Sequence, residues 1–396
     1  LDYHIGVGFC VARSTTMGNA KASERGTSNG ELPRFYFYLK RVPVNGSFHA
    51  RTPMSNYCNL FLPSLTAVIL SLLAYLKLRR CNTPADFHPF DTNATLPVRG
   101  ILAILIVCHH LSLYFHDASF AIFKNWGTAI VSVFFFISGY GLMVSYLKKG
   151  KSYLTNFFRH RFSKLLPTFL LLTIGCGIYH YKSHFISAIA HDFLIGLPTL
   201  PNSWFLYVIF YFYIAFYISC RASRSNVQCI GYMALFTLLS MAMTLLAKFG
   251  SWWYVSQPSI VLGLIVAVHE EWLKKSLCRH PFAIIFLIIL ISFLSYFFIP
   301  STALKTLTFS NLAPLFVLFT LYAYPPIRNK VIRYLGKVSL EIYLVHGLVI
   351  SVMHKIGGLC GCPVLPWYVF TVLTFILTIP LAALAHQFNQ AISSRF

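Results

Sequence analysis

Acidic side chains are scarce in this chain. Of its 396 residues only ten are Asp or Glu, against 32 Lys and Arg. A carboxylate relay of the kind used by proton-driven transporters therefore has little to work with at membrane depth. Charge of either sign is thin, at 11% of residues, and after residue 54 no hydrophilic stretch is long enough to form a soluble domain. The ten cysteines are scattered, mostly inside apolar runs, without a CxxC pair at metal spacing. They read as small packing residues, and no metal is expected. Cys360 and Cys362, in a glycine-rich loop, are the one close pair and weak evidence for anything more. The formal charge of +22 is not gathered on a soluble module, and no base-reading motif accompanies it, so nucleic acid is not expected as a partner.

What the chain has instead is apolar length: 57% of residues are apolar and 17% aromatic. Runs of about twenty apolar residues recur from residue 58 onward, which makes this an all-α, polytopic transmembrane helix bundle of about 10–11 helices in a lipid bilayer. The helices fall at approximately 58–76, 97–116, 127–146, 165–182, 203–220, 227–246, 255–272, 281–299, 304–324, 338–355 and 367–388. Residues 1–53 are polar and lack apolar periodicity. They read as disordered or as an over-called extension, with the working protein beginning near Met54. Residues 54–96 then form an extra helix and a linker, and residues 97–396 the main transmembrane domain. No inverted repeat of the transporter kind is visible.

Basic residues orient the bundle. Lys77, Arg79, Arg80 and Arg99, then Lys148, Lys149, Lys151, Arg159, Arg161 and Lys164, and later Arg221, Arg224, Lys274, Lys275, Arg279, Arg328, Lys330, Arg333 and Lys337 all fall on alternate connections. The intervening connections hold only Lys124, Lys182, Lys248, Lys305 and Lys355. This places the C-terminus in the cytoplasm.

The stretch PVRGILAILIVCHHLSLYF, 97–115, carries the first candidate site. Arg99 and His110 are eleven positions apart, about three turns, so they share one helix face while His109 points elsewhere. Counted from the cytoplasmic end, His110 is expected about 16 Å beyond Arg99 and near the midplane. A satisfied structural histidine and a working one are both open on this helix alone. Further along, VSLEIYLVH contains Glu341, which is favoured at a helix start by the macrodipole, and His346, about 7–8 Å deeper along the same helix. Arg161 and Lys164 lie one turn apart where a helix begins, with Pro167 following, and can hold an anion. Trp204 falls at the outer interface, as an aromatic-belt residue or a sugar-stacking one.

Together these segments resemble the acyltransferase 3 family of integral membrane acyltransferases. The carriers are Arg99 with His110, matching Arg/Lys-x10-His; 134–140, FFFISGY, matching F-F-x-I-S-G-F/Y; 161–167, RFSKLLP, matching R-x-x-R-I/L-x-P; 203–206, SWFL; and 339–346, SLEIYLVH, matching S-x-x-I-Y-L-x-H. Two features depart from the pattern. Lys164 stands where the family has a second arginine, keeping charge but losing the planar fork, and the helix at 58–76 precedes the family's usual set. The resemblance implies transfer of an acyl group, most often acetyl, from cytoplasmic acyl-CoA to a hydroxyl of a cell-surface or exported carbohydrate at a bacterial inner membrane. In that reading His110 and Arg99 are catalytic, Arg161, Lys164 and Arg99 hold the donor's phosphates, and Trp204, His346 and Glu341 contact the acceptor. A membrane transporter of a glycan or small anion is the rival class, expected to show inverted repeats or paired carboxylates in broken helices.

Overall fold

In hydrocarbon every backbone polar group needs a partner within the protein, and an apolar run finds its partners by coiling into an α-helix. The computed structural model describes residues 92–115, 122–323, 327–359 and 366–393. The segment 1–53, the helix expected at 58–76 and the Cys360/Cys362 pair lie outside the described residues. Within them the chain is all-helical: α1 Thr92–Tyr114, α2 Gly127–Lys149, α3 Phe157–Phe162, α4 Leu166–Tyr181, α5 Phe185–Leu194, α6 Trp204–Ala222, α7 Asn226–Leu246, α8 Pro258–Val268, α9 Glu270–Arg279, α10 Pro281–Phe298, α11 Thr302–Ala323, α12 Lys330–Lys337, α13 Ser339–Leu359 and α14 Trp367–Ser393. Each apolar helix expected from residue 97 onward has a counterpart. Among the described residues, eight helical segments are long and apolar enough to cross a membrane. The two remaining counterparts are α4, of 16 residues, and α10, of 18. The expected helix at 255–272 is divided, because α8 closes at Val268 and α9 opens at Glu270.

Local chemistry sets several boundaries. Proline occupies the first turn of α4, α8 and α10, where its missing N–H costs nothing. Ser225 caps α7 by accepting from the Gln228 N–H at 3.2 Å, and Asn329 caps α12 by accepting from the Val331 and Ile332 N–H groups at 2.9 and 3.1 Å. Pro97 is different, because it lies inside α1 and leaves the Asn93 carbonyl without its usual helical donor. Arg333 of α12 supplies one, its guanidinium reaching Asn93 O at 3.3 Å and Asn93 Oδ1 at 2.9 Å.

Two glycine crossings hold the bundle close. Gly100 of α1 rests on the backbone of Ile332 and Gly336, while Gly336 of α12 rests on the carbonyl of Leu96. In the same reciprocal way Gly139 of α2 lies on Ile260 O and Gly263 of α8 on Phe136 O. Such small-residue contacts let helix backbones approach where lipid supplies no hydrophobic drive. The core around them is aromatic and aliphatic, with Phe135, Phe136, Phe212, Phe216, Leu111 and Met143 fully buried. We expect Gly336→Val to drive its side chain into the Leu96 carbonyl, at a cost of about 3 kcal/mol or more. A fall in the thermal midpoint of the detergent-solubilised protein by several degrees checks this, and an unchanged midpoint contradicts the crossing.

Candidate active site

The site is assembled from α1, α13 and the segment before α6. α1 begins at Thr92, earlier than the sequence indicates, so His110 lies about 27 Å from its start and about 6 Å from its end. The earlier start leaves the distance expected from Arg99, about 16 Å, unchanged. His109 and His110 take different partners, although their rings still meet edge to face with centroids 4.9 Å apart. The Nδ1 of His109 is paired with Phe123 O at 3.0 Å and its ring packs on Gly127, which opens α2. His110 turns instead to α13, where its ring centroid lies 4.9 Å from that of His346, with the planes at 34°. His346 is fully buried and His110 half-buried. Arg99, three turns back, is partly buried and its Nε has no hydrogen-bond partner among the described residues.

The third wall is non-helical. The ring of Phe205, the second residue of α6, lies 4.8 Å from that of Phe135, which is about 12 Å along α2 from its start. α6 therefore begins deep within the bundle, and residues 196–203 enter it as irregular backbone. Such backbone persists at this depth only where its polar groups are met by protein or line a cavity. The structure meets several of them. Trp253 Nε1 donates to Gly196 O at 3.2 Å, the Leu197 N–H to Asp192 O at 2.9 Å, and the hydroxyls of Thr199 and Tyr181 to Asp192 Oδ2, both at 2.8 Å. At the inner end the Tyr343 hydroxyl donates to Asn202 O at 2.5 Å.

The other residues singled out from the sequence are elsewhere. Glu341 is buried at the start of α13 with Oε1 2.9 Å from Nδ1 of His386 on α14, and its Oε2 has no hydrogen-bond partner. Five residues before His346, it faces α14 rather than α1. Trp204 is buried with its ring 5.8 Å from that of Trp253, so it does not face lipid. Arg161 donates through Nε and Nη2 to the Tyr153 hydroxyl and lies over the rings of Tyr153 and Tyr213. Lys164 is exposed, and the segment around it is clasped by α14 through Asn389 to Lys164 O and through Ser393 Oγ to Ser163 O at 2.8 Å.

Next to that clasp is an open pocket of about 220 Å³ lined by Asn156, Arg159, His160, Ser163 and Ser393. Partial desolvation, then the positive charges of Lys164, Arg161 and Lys149, hold the His160 imidazole below its ordinary pKa. Sequence reading named Arg159 only as an orienting charge and passed over His160, Tyr343 and Asn202. The tyrosine is inside the quoted IYLVH motif, and the asparagine ends the turn-rich run PTLPNS, which are the signals that mark them. Among the described residues no group of His, Cys, Asp and Glu converges as a metal ion requires.

A helical membrane bundle with a buried histidine pair beside irregular backbone, and a basic pocket where α3 meets the end of α14, defines an integral membrane protein with an enclosed polar site. The acyltransferase 3 family model, described as an acyltransferase domain, matches residues 98–386, and the chain belongs to that family. It is thus a membrane acyltransferase in the general sense. No curated protein and no solved structure matches it.

The Glu341 pair is testable independently of activity. His386→Ala leaves a carboxylate buried without a partner on either oxygen, and we expect a loss of about 1–3 kcal/mol, moderated because His386 is partly exposed. Thermal unfolding in detergent measures it, with Glu341→Gln, which removes the charge itself, expected to lose less.

Proposed function

We propose that the protein is an O-acyltransferase that moves an acyl group, in the simplest case acetyl, from cytoplasmic acyl-CoA to a hydroxyl of a cell-surface or exported carbohydrate. One observation carries the reading: inside a family acyltransferase domain, His110, half-buried with its ring 4.9 Å from that of the buried His346, lies on the same helix as Arg99, whose buried Nε has no partner among the described residues. In this reading the protein resides in a bacterial inner membrane with its C-terminus in the cytoplasm.

The chemistry assigns each group a task. His110 takes the proton of the acceptor hydroxyl as its oxygen bonds to the thioester carbonyl carbon. The C–S bond then breaks, the ester remains on the acceptor, and the departing CoA thiolate recovers the proton from the imidazolium. Coenzyme A carries several phosphate charges, and Arg99, Arg161 and Lys164 receive them. Because Arg161 is already held by Tyr153 and aromatic faces, it acts as a fixed charge, while Lys164 and the neighbouring Arg159 and His160 remain open to solvent. Trp204 and Glu341 serve the acceptor indirectly, by seating the start of α6 and by fixing α13 against α14.

Two experiments follow. His110→Ala should abolish transfer of radiolabel from acetyl-CoA to surface carbohydrate, a fall of about 10²–10⁴-fold for loss of a general base, while His109→Ala, which faces α2, retains most activity. Normal product in the His110 variant overturns the base assignment. The His160 pocket predicts a pH dependence. A bound phosphate favours the imidazolium that its surroundings disfavour, so affinity for coenzyme A rises as pH falls below neutrality. Isothermal titration between pH 7.5 and 5.5 should show tightening on the order of fivefold, flattened in His160→Ala.

A further inference from the structure

Between the two histidine rings one buried hydrogen-bond acceptor is left unused. The Nδ1 of His346 bonds to the Ile342 carbonyl, one turn back on α13, at 3.1 Å. A carbonyl only accepts, so this nitrogen carries the proton and Nε2 presents a bare lone pair. That lone pair is buried and has no partner among the described residues. Two neighbouring donors are committed, the Tyr343 hydroxyl to Asn202 O and the His109 Nδ1–H to Phe123 O, and His110, its ring centroid 4.9 Å away, makes no hydrogen bond to Nε2. Nε2 is thus left for a donor from outside the described residues, and the neighbouring His110 is half-buried.

The surroundings define the donor's chemistry. Asn202 holds a left-handed backbone, φ 63°, at the tip of the inserted segment. The tip is pressed onto the face of α13 that carries His346: Tyr343, one turn before, holds Asn202 O, and Gly347, one residue after, lies beneath Pro201 and Asn202. A Cβ at position 347 would stand 2.8 Å from Pro201 O and 3.0 Å from Asn202 Nδ2, so only glycine lets the tip seat there. Beside it Ser203 Oγ is also buried without a partner. A phosphate without a proton cannot donate to Nε2, and an acyl chain satisfies neither atom. A ring bearing several hydroxyls satisfies both, because each hydroxyl donates and accepts.

We propose that His346 Nε2 receives the hydrogen bond of an acceptor hydroxyl, and that the turn at 201–203 is the wall of that subsite and selects a polyhydroxylated acceptor. The inference rests on the acyltransferase reading above and adds where the acceptor is held. His346 is then a substrate-binding residue, and Tyr343 a positioning residue acting through Asn202.

The test uses the full chain in lipid nanodiscs, radiolabelled acetyl-CoA, and as acceptor source the membranes of cells from which the gene has been deleted. His346→Leu is expected to raise the apparent acceptor KM by about tenfold or more while the KM for acetyl-CoA stays within about twofold. His346→Gln, whose Oε1 accepts a hydrogen bond, recovers part of the loss, and Tyr343→Phe gives an intermediate acceptor KM. If His346→Leu fails to fold, Tyr343→Phe against wild type decides by the same split. An unchanged acceptor KM, or a rise confined to acetyl-CoA, which would assign the lone pair to an amide N–H of the donor, overturns the proposal and leaves the enzyme reading standing. No transfer by the wild-type protein overturns the enzyme reading itself.

Discussion

A polar group carried into an apolar bundle has no water to turn to, and this single demand shapes the structure from end to end. Where the chain abandons the helix before α6, Asp192, Trp253 and Tyr343 take up its hydroxyls, amides and carbonyls in turn. On α11, Asn311 spends both amide functions on neighbouring segments, donating to Val255 O and accepting from Ser259. Against that background the unmatched atoms stand out. Among the described residues His346 Nε2, Ser203 Oγ and Arg99 Nε are three of the buried polar atoms that find no partner.

The histidine pair and the basic pocket belong to different ends of the fold. The pocket lies where α3 meets the end of α14, on the side where α2 finishes and α1 starts, whereas His110 is close to the far end of α1. In the proposed reaction this separation suits a long donor with charge at one extremity and a thioester at the other. The phosphates remain with Arg99, Arg161 and Lys164 and the neighbouring Arg159 and His160, and only the reactive arm travels inward. The same distance keeps the cations from disturbing the neutral imidazole that a general base requires.

Much of this was legible in the sequence, for reasons that differ by element. The helices from residue 97 onward follow from apolar length alone, because in a bilayer length and backbone satisfaction leave no other secondary structure. The shared face of Arg99 and His110, and the divergence of His109, follow from helical periodicity. The start of α1 was misplaced because Pro97 reads as a helix opener. Its unpaired Asn93 carbonyl is rescued by a residue far away in the chain, which no local rule detects. Trp204 was read at an interface because α6 was taken to begin at the membrane surface. The inward path of residues 196–203, which depends on Asp192 and Trp253, buries it instead. Tyr343 and Asn202 gain their meaning only from each other.

The paired glycines at 139 and 263 have a mechanical consequence. With backbone resting on backbone there is no compliant layer of side chains between α2 and α8, and the register is keyed. A slide of one turn along α2 would bring Phe135 or Met143 to the crossing, and both are fully buried in neighbouring packing. The two helices are therefore a single stiff post.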